Sequence, residues 1–329
     1  MQIDYRITAD GEDITPRMAD RLIDLTITDE AGMKSDAAEL KIDDRDYRID
    51  LPETGAELEI ALGFRETGLI SMGLYTVDEI TGDGPPDKMV IKAKAADMRS
   101  GIKAPRTREW EAVTIDDIVR RVAGQHGFEP AVAGALKGVF YLFIAQTSES
   151  DLNLLIRLAR DLDATVKPAG GRLVFVEAGA GKTTDGKDMP AIALQRRDLA
   201  DWSWKVTGRG RFGRVVAEWT DLGTAEVKKI TEGDKDPTLK LRHRYASEDE
   251  ARRAAKGALR RSKRASGTLS GSLGGFRGEM TAEGRIEVSG LKPELSGLWT
   301  LTRVTHRLGS SLTTSFEAER DNEKDTDDE

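Results

Sequence analysis

Residues 147–177 read TSESDLNLLIRLARDLDATVKPAGGRLVFVE, and this stretch decides the fold of the middle of the chain. Ser148, followed three residues later by Asp151, predicts a helix N-terminus, where a hydroxyl and a carboxylate satisfy free backbone N–H groups. Two short strands, 165–167 and 173–176, follow around a glycine-containing turn. The stretch therefore predicts a helix and a β-hairpin, and its simplest interpretation is a packing unit inside an α+β domain. Apolar residues at spacings of three and four give the helix one apolar face: Leu152, Leu155, Ile156, Ala159 and Leu162.

Residues 1–98 predict antiparallel β-structure. Short runs with period-two alternation are separated by turn-forming clusters, which indicates a sandwich or a barrel. The chain has no room there for the crossover helices that parallel strands need. The alternating apolar positions are Ile3, Tyr5, Ile7, Ile23, Leu25, Ile27, Leu40, Ile42, Leu58, Ile60, Leu62, Phe64, Tyr75, Val77, Met89, Ile91 and Ala93.

The rest of the chain divides into three further regions. Residues 99–190 predict an inserted α+β domain, whose first helix is capped by Thr114 and Asp117 and stopped by glycines at 124 and 127. Residues 191–320 return mainly to β, interrupted by a helix at 247–266. Residues 321–329, DNEKDTDDE, are acidic and without an apolar anchor, which is typical of a disordered tail.

Composition excludes several classes of protein. Charged residues make up 33% of the 329 positions and hydrophobic residues 38%, which is typical of globular domains with a charged surface. No apolar run is long enough for a membrane span, and the N-terminal residues carry no secretory signal pattern. With no cysteine, thiolate catalysis and Cys-based zinc sites are excluded, and a reducing cytoplasm is the expected place of synthesis. The net charge of −8 argues against a general DNA-binding surface.

Two glycine-rich motifs resemble nucleotide-binding loops but lack the required context. GAGKTT at 179–184 has no glycine five residues before Gly181, and no helical pattern follows it. GRGRFG at 208–213 matches G-x-G-x-x-G, but the alternating residues after it indicate a strand where the fingerprint needs a helix. We interpret the second motif as a hairpin connection between two strands.

No other group of residues predicts catalysis, a cofactor or a metal. The helix RRAAKGALRRSKR at 252–264 carries seven Lys and Arg, but acidic residues precede it and no aromatics interleave. That charge order suits the helix dipole, so we expect a solvated face or a protein contact and not nucleic acid. His126, His243 and His306 share no ligand spacing. We predict no catalytic, cofactor-binding or metal residue, and no partner-interface residue can be assigned.

Several stretches together resemble the phage late control D family, the baseplate hub proteins of contractile tails. They follow the family's order over roughly residues 5–320. The matching stretches are GEDITPRMADRLIDLTITDEAGMKSDAAELKIDD (11–44), LPETGAELEIALGF (51–64), MGLYTVDEITGDGPP (72–86), REWEAVTIDDIVRRVAGQHGF (108–128), QTSESDLNLLIRLARDLDATVKPAGGRLVFVE (146–177) and ELSGLWTLTRVTHRL (294–308).

This resemblance implies two β-barrel-like domains separated by a small α+β domain, with a LysM-like helix–hairpin. It implies a homotrimeric ring of pseudo-sixfold symmetry that joins the hexameric tail tube to the trimeric central spike, in a phage tail or a related contractile injection particle. The tape measure and baseplate wedge proteins are further candidate partners, DNA passes only in transit, and no membrane, enzyme activity or cofactor is implied. Its place would be the virion tail baseplate, assembled in the bacterial host cytoplasm.

We also hypothesise that carboxylates facing the lumen of this ring keep the passing genome from sticking. Two rival functions come from other classes. A peptidoglycan-binding or cell-wall-degrading module would use residues 147–177 for glycan, although Phe175 is the only aromatic residue there. A soluble enzyme would use the GAGKTT loop, against which its spacing argues.

Overall fold

The protein is mainly antiparallel β with few helices. The computed structural model describes residues 1–32, 35–95, 100–169, 171–179, 181, 189–207, 212–221, 223–264 and 267–320. The predicted acidic tail, most of GAGKTT and most of GRGRFG lie outside these residues. Within them, no helix is long and apolar enough to cross a membrane.

The strands and helices have the following bounds. The strands are β1 (Ile3–Ala9), β2 (Glu12–Asp13), β3 (Leu22–Glu30), β4 (Ala37–Asp43), β5 (Glu57–Phe64), β6 (Gly68–Asp83), β7 (Lys88–Ala95), β8 (Pro105–Thr114), β9 (Glu129–Val132), β10 (Phe140–Ser150), β11 (Ala164–Ala169), β12 (Arg172–Glu177), β13 (Ile192–Gln195), β14 (Leu199–Val206), β15 (Arg214–Asp221), β16 (Glu226–Gly233), β17 (Thr238–Tyr245), β18 (Gly267–Leu273), β19 (Arg285–Ser289), β20 (Gly297–Leu308) and β21 (Leu312–Arg320). The helices are α1 (Thr15–Met18), α2 (Ile115–His126), α3 (Gly134–Lys137), α4 (Asp151–Leu162) and α5 (Glu248–Arg264).

One thirteen-stranded sheet contains strands from both ends of the chain. Eleven strands follow one another in the order β14-β18-β21-β20-β3-β4-β7-β6-β5-β1-β2, and β13 and β19 branch from β20. The two halves join where β20 pairs antiparallel with β3, placing Leu308 opposite Leu25 and Arg303 opposite Glu30. The sequence predicts β-structure in 1–98 and 191–320, but it does not predict that the two regions share a sheet.

Two apolar clusters lie along this sheet. The first is built by β1 and β3–β7, with Leu308 and Leu312 added from the other half. The second is built by β13, β14 and β18–β21, around Trp299 and Phe316. The alternation in the sequence therefore identifies the buried side of strands such as β4 and β7, where buried and outward residues alternate, whereas residues 60–63 of β5 are buried consecutively.

The middle of the chain forms its own apolar cluster. Strand β10 pairs antiparallel with β8, and β12 lies between β11, antiparallel, and β9, parallel. Helices α2 and α4 pack their apolar faces with Trp110 and Phe175, both at most 2% exposed. Full burial of a side chain such as Phe175 stabilises the fold by roughly 1.5–3 kcal/mol. The predicted helix and hairpin of 147–177 are confirmed.

Two details of the predicted helix ends are wrong. Ser150, not Ser148, caps α4, because its Oγ accepts a hydrogen bond from the Asn153 amide at 3.2 Å. Ser148 has φ 46° and lies in β10, where an irregularity lets the strand continue two residues farther. In α2 the predicted Thr114 cap is confirmed, but the helix runs through residue 124 and ends only at Gly127, in the left-handed region with φ 69°.

The prediction for GRGRFG is also wrong. Strand β14, before the motif, pairs with β18, whereas β15, after it, pairs with β16 and β17 in a separate three-stranded sheet. The motif therefore connects two sheets, and β14 and β15 form no hairpin. Local alternation shows that both segments are strands but carries no information about their partners.

The basic helix α5 has one packed side and one solvated side, because its small residues are buried while Arg252, Lys256, Arg260 and Lys263 are exposed. Its small residues pack against β15, and Gly257 lies against α4 so closely that a Cβ there would come within 2.9 Å of the Asp161 carbonyl oxygen. Three arginines of α5 surround the buried carboxylate of Asp163 at the end of α4. The contacts to Asp163 are Arg260 Nε at 3.3 Å, Arg261 Nη1 at 3.8 Å and Arg264 Nη1 at 2.8 Å.

A polar cluster attaches the hairpin to the large sheet. Lys167 Nζ of β11 donates to Asp29 Oδ1 at 3.0 Å, to the Glu30 carbonyl oxygen at 2.9 Å and to Asp36 Oδ1 at 2.7 Å. Nearby, Thr165 Oγ1 donates to Glu283 Oε1 at 3.2 Å. The middle of the chain is thus held to the sheet by charge and hydrogen bonding. The domain boundaries at 98 and 190, and the LysM likeness, stay predictions.

Candidate functional site: the polar face of the sheet

The outward face of the large sheet is the broadest polar surface that strand pairing defines. In a ladder, directly opposite residues lie on the same face, so the pairing registers connect outward residues into rows that cross the sheet. The middle row runs Asp201, Ser272, Ser315, Thr305, Thr28, Ala37, Lys94 and Thr76.

Four neighbouring rows follow the same pattern of hydroxyls and opposed charges. In every row that carries charges, acidic side chains equal or outnumber basic ones. The rows are Ser203–Ser270–Glu317–Arg303–Glu30, Thr313–Arg307–Thr26–Glu39–Lys92–Glu79, Asp24–Lys41–Val90–Thr81 and Asp43–Lys88–Asp83.

The two arginines named in these rows are held by carboxylates. Arg303 contacts Glu30 and Glu317, each at 2.8 Å, and so links three adjacent strands. Arg307 Nε donates to Asp24 Oδ2 at 2.6 Å. Exposed pairs of this kind each contribute only about 0–1 kcal/mol to stability. Their larger effect is on the electrostatic potential of the face, because an arginine paired with a carboxylate is unavailable to a passing anion.

Two further ion pairs continue the pattern at the other half of the sheet. Lys92 Nζ lies 2.8 Å from Glu79 Oε1, and Lys94 pairs with Asp78. Where the two halves meet, a shallow depression of about 430 Å³ is lined by Asp24, Glu39, Lys41 and Arg307 among other polar residues. The face as a whole is hydroxyl-rich and close to charge balance.

The three histidines lie apart in structural contacts. His126 Nε2 lies 2.9 Å from the Asp151 carboxylate, and Arg108 Nη2 contacts the same carboxylate at 2.5 Å. Burial would raise the pKa of Asp151, but hydrogen bonds from Gln146 and His126 and the charge of Arg108 hold it below its ordinary value. This network lies inside the middle cluster, because Asp151 has no exposed surface. It fixes the start of α4.

The other two histidines likewise contact neighbouring side chains. His306 is buried against Phe276 and lies 3.0 Å from Thr314 Oγ1, and burial lowers its pKa. His243 packs edge-on against Tyr245. Among the residues described, no group of three or more acidic or histidine side chains is placed to hold a metal ion.

The glycan-binding alternative loses its only aromatic contact. Phe175, the one aromatic residue of 147–177, has no exposed surface and packs in the middle cluster. Sugar-binding clefts use exposed aromatic faces, so this stretch offers no platform of that kind.

Comparison with known proteins gives this fold its class. The tail protein from Neisseria meningitidis MC58 superposes with a TM-score of 0.73 over 98% of this chain and 97% of its own, at 12% identity. An E. coli component of the type VI secretion system, described as structurally similar to T4 bacteriophage tail proteins, gives a TM-score of 0.57 over 98% of this chain and 78% of its own, at 12% identity. The fold is therefore that of phage-type tail proteins.

Sequence comparison narrows the class further. The family model described as phage tail baseplate hub (GPD) matches residues 78–312. The probable baseplate hub protein of Escherichia phage 186 is 31% identical over 358 aligned positions, covering 96% of this chain and 92% of that protein. The chain belongs to the phage tail baseplate hub family, as its resemblance to the late control D proteins predicts. This is a structural family and not an enzyme family.

Proposed function

We propose that three copies of this chain form a ring in the tail baseplate, between the tail tube and the central spike, and that the polar face of the large sheet lines its lumen. Each copy would contribute two barrel-like halves, one built by β1–β7 and one by β13, β14 and β18–β21. The pairing of β20 with β3 supports this arrangement, because it places the two halves side by side in one sheet.

The charge balance of the polar face carries the proposal for the lumen. DNA binds non-specifically to surfaces whose Lys and Arg neutralise its phosphates and release counterions. On this face the cations are opposed by carboxylates within each row, as Arg303 is by Glu30 and Glu317. A lumen with such a surface gives a passing duplex few free cations to bind, so it conducts DNA without retaining it.

The size of the assembly is tested first by light scattering of the purified protein, with and without its spike partner. A ring gives three times the chain mass of 36.1 kDa, alone or as an equimolar complex with the spike. A monomer that ignores the spike at every concentration contradicts the ring.

The lumen is tested by charge reversal. Glu39→Lys and Glu317→Lys together remove exposed acids from two strands of the polar face. The matched control reverses Glu109 and Glu111, which are exposed on the middle of the chain, and so has the same net charge.

Binding of duplex DNA is then measured by fluorescence anisotropy at two salt concentrations. We expect the polar-face variant to bind DNA at low salt and lose it at high salt, and the wild type and the control to bind little. Equal binding by the two variants would show that only net charge matters, and the polar face would lose its assigned role.

A further inference from the structure

The large sheet has two open strand edges that lie at opposite ends of one run of strands. Strand β14 pairs with β18 alone. Strand β6 changes partner along its length: residues 68–76 pair with β5, whereas residues 75–83 pair with β7. Among the residues described, 201–206 and 78–83 therefore each have a ladder partner on one side only. Unpaired edges of this length are templates for a further strand.

The directions of the strands make these two edges complementary. From β14 to β6 the sheet runs β14-β18-β21-β20-β3-β4-β7-β6, and every neighbouring pair is antiparallel. Because the run contains eight strands, the first and the last point in opposite directions. The β14 edge of one copy can thus pair antiparallel with the β6 edge of the next. A head-to-tail contact between different edges is the kind that closes into a ring.

The side chains at the two edges also match. On the buried side of the sheet, Trp204 is opposite the fully buried Leu269, yet it is 45% exposed because no strand follows. Val206, two residues farther on the same side, is 61% exposed. On the β6 edge, Ile80 faces the same side, opposite the buried Ile91. Pairing of the edges would cover all three apolar side chains.

The outward charges of the two edges are partly complementary. Lys205 and Asp201 face outward at the β14 edge, while Glu79 and Asp83 face outward at the β6 edge. With Ser203 opposite Thr81, Lys205 lies opposite Glu79, whereas Asp201 lies opposite Asp83. Opposite charges in a cross-strand position favour pairing, and like charges oppose it.

We propose that residues 201–206 of β14 in one copy add to residues 78–83 of β6 in the next copy, so that the sheets of successive copies join into one closed wall. This inference rests on the proposed ring and assigns its subunit contact. The polar rows then continue from one copy into the next, since Ser203 and Thr81 face the same side.

Cysteine cross-linking tests the contact, because the chain has no cysteine of its own. Protein carrying Ser203→Cys is mixed with protein carrying Thr81→Cys at a concentration where light scattering shows the wild-type ring, and is then oxidised. Directly opposed residues bring their Cβ atoms within disulfide reach. Glu79→Cys and Asp83→Cys, each mixed in turn with Ser203→Cys, cover the neighbouring registers on the same face.

We expect a dimer band on a non-reducing gel that disappears on reduction, in at least one of the three mixtures and in neither partner alone. The control mixes Thr81→Cys with Thr305→Cys, which shares the polar face but lies on a central strand paired on both sides. Bands of equal strength in the control would mean random collision, and would overturn the proposal.

Substitution of the exposed tryptophan gives an independent readout. Trp204→Ser should raise the protein concentration needed for the ring by roughly tenfold or more, whereas Leu142→Ser, at a residue 61% exposed on β10 in a separate sheet, should leave it unchanged. If the wild type forms a ring, but no mixture gives a cross-link and Trp204→Ser leaves the ring unchanged, the strand contact is wrong and the proposed function stands. A wild type that forms no ring contradicts the proposed function and this contact together.

Discussion

Lys167→Met would test how the middle of the chain is held to the large sheet. The Lys167 ammonium lies between the carboxylates of Asp29 and Asp36, and the three side chains are 18%, 25% and 22% exposed. Removing one member of a fully buried ion pair costs roughly 3–5 kcal/mol, because the remaining charge keeps its desolvation penalty. Since these groups keep some contact with water, we expect the lower end, about 3 kcal/mol.

The cost should depend on pH, and its sign follows from Asp36. Burial, together with the neighbouring Asp29 charge, raises the pKa of Asp36 to about 6 in the folded protein. A carboxyl whose folded pKa is raised disfavours folding above that pKa, and the penalty is relieved as the pH falls through about 6. Lys167 lowers the pKa of Asp36, so without it Asp36 takes up its proton at a higher pH. The loss caused by Lys167→Met should therefore be largest at pH 8 and smaller at pH 5.

Urea unfolding followed by tryptophan fluorescence at pH 8 and pH 5 measures both effects. Lys137→Met is the matched control, because Lys137 is exposed at the end of α3 in the same region. Its effect should stay within about 0.5 kcal/mol. Amide exchange should also rise in β11, the strand that carries Lys167. A loss for Lys167→Met that is equal at the two pH values, or no larger than that of the control, would refute the reasoning.

Four other substitutions test the helices. Asp151→Asn should cost roughly 3 kcal/mol, because Arg108 and His126 would face a neutral amide in place of a buried carboxylate; an unchanged thermal midpoint contradicts this. Gly257→Ala should destabilise the packing of α5 against α4, because the added Cβ would lie 2.9 Å from a backbone oxygen. Gly124→Ala, whose Cβ would meet nothing within 4 Å, should instead stabilise the protein by about 0.5–1 kcal/mol. Urea midpoints that move in the same direction for the two variants would contradict the close contact at Gly257. Thr114→Ala should cost about 1 kcal/mol by removing the cap of α2, measurable as faster amide exchange in its first turn.

Many of the elements could be predicted because their signals are local. Alternation identifies the strands of 1–98, and spacings of three and four identify α4. The cap of α4 was misplaced because two serines, 148 and 150, precede the same apolar stripe. The positive φ at Ser148 and the hydrogen bond from the Asn153 amide to Ser150 Oγ decide between them, and a pattern of residue types shows neither.

The pairing of distant strands could not be predicted from one sequence. Alternation shows that Thr26 and Arg307 point outward, but their adjacency depends on the register of β3 against β20. The Lys167 cluster could not be predicted either, because its carboxylates come from a loop and a strand more than 130 residues earlier. The candidate site is a face made of many such pairings. Sequence alone therefore predicted the family's function without the surface that would perform it.

The pairing of β3 with β20 also has a consequence for biosynthesis. Glu30 and Arg303 are 273 residues apart. At a synthesis rate of roughly 5–20 residues per second, the partner residue in β20 is made roughly 14–55 s after β3. During that time the nascent chain carries an open strand edge. The Asp24, Asp29 and Glu30 side chains of β3 place negative charge on this edge, and charged edges resist pairing with other chains. The strands that leave the ribosome last are thus the ones that complete the sheet.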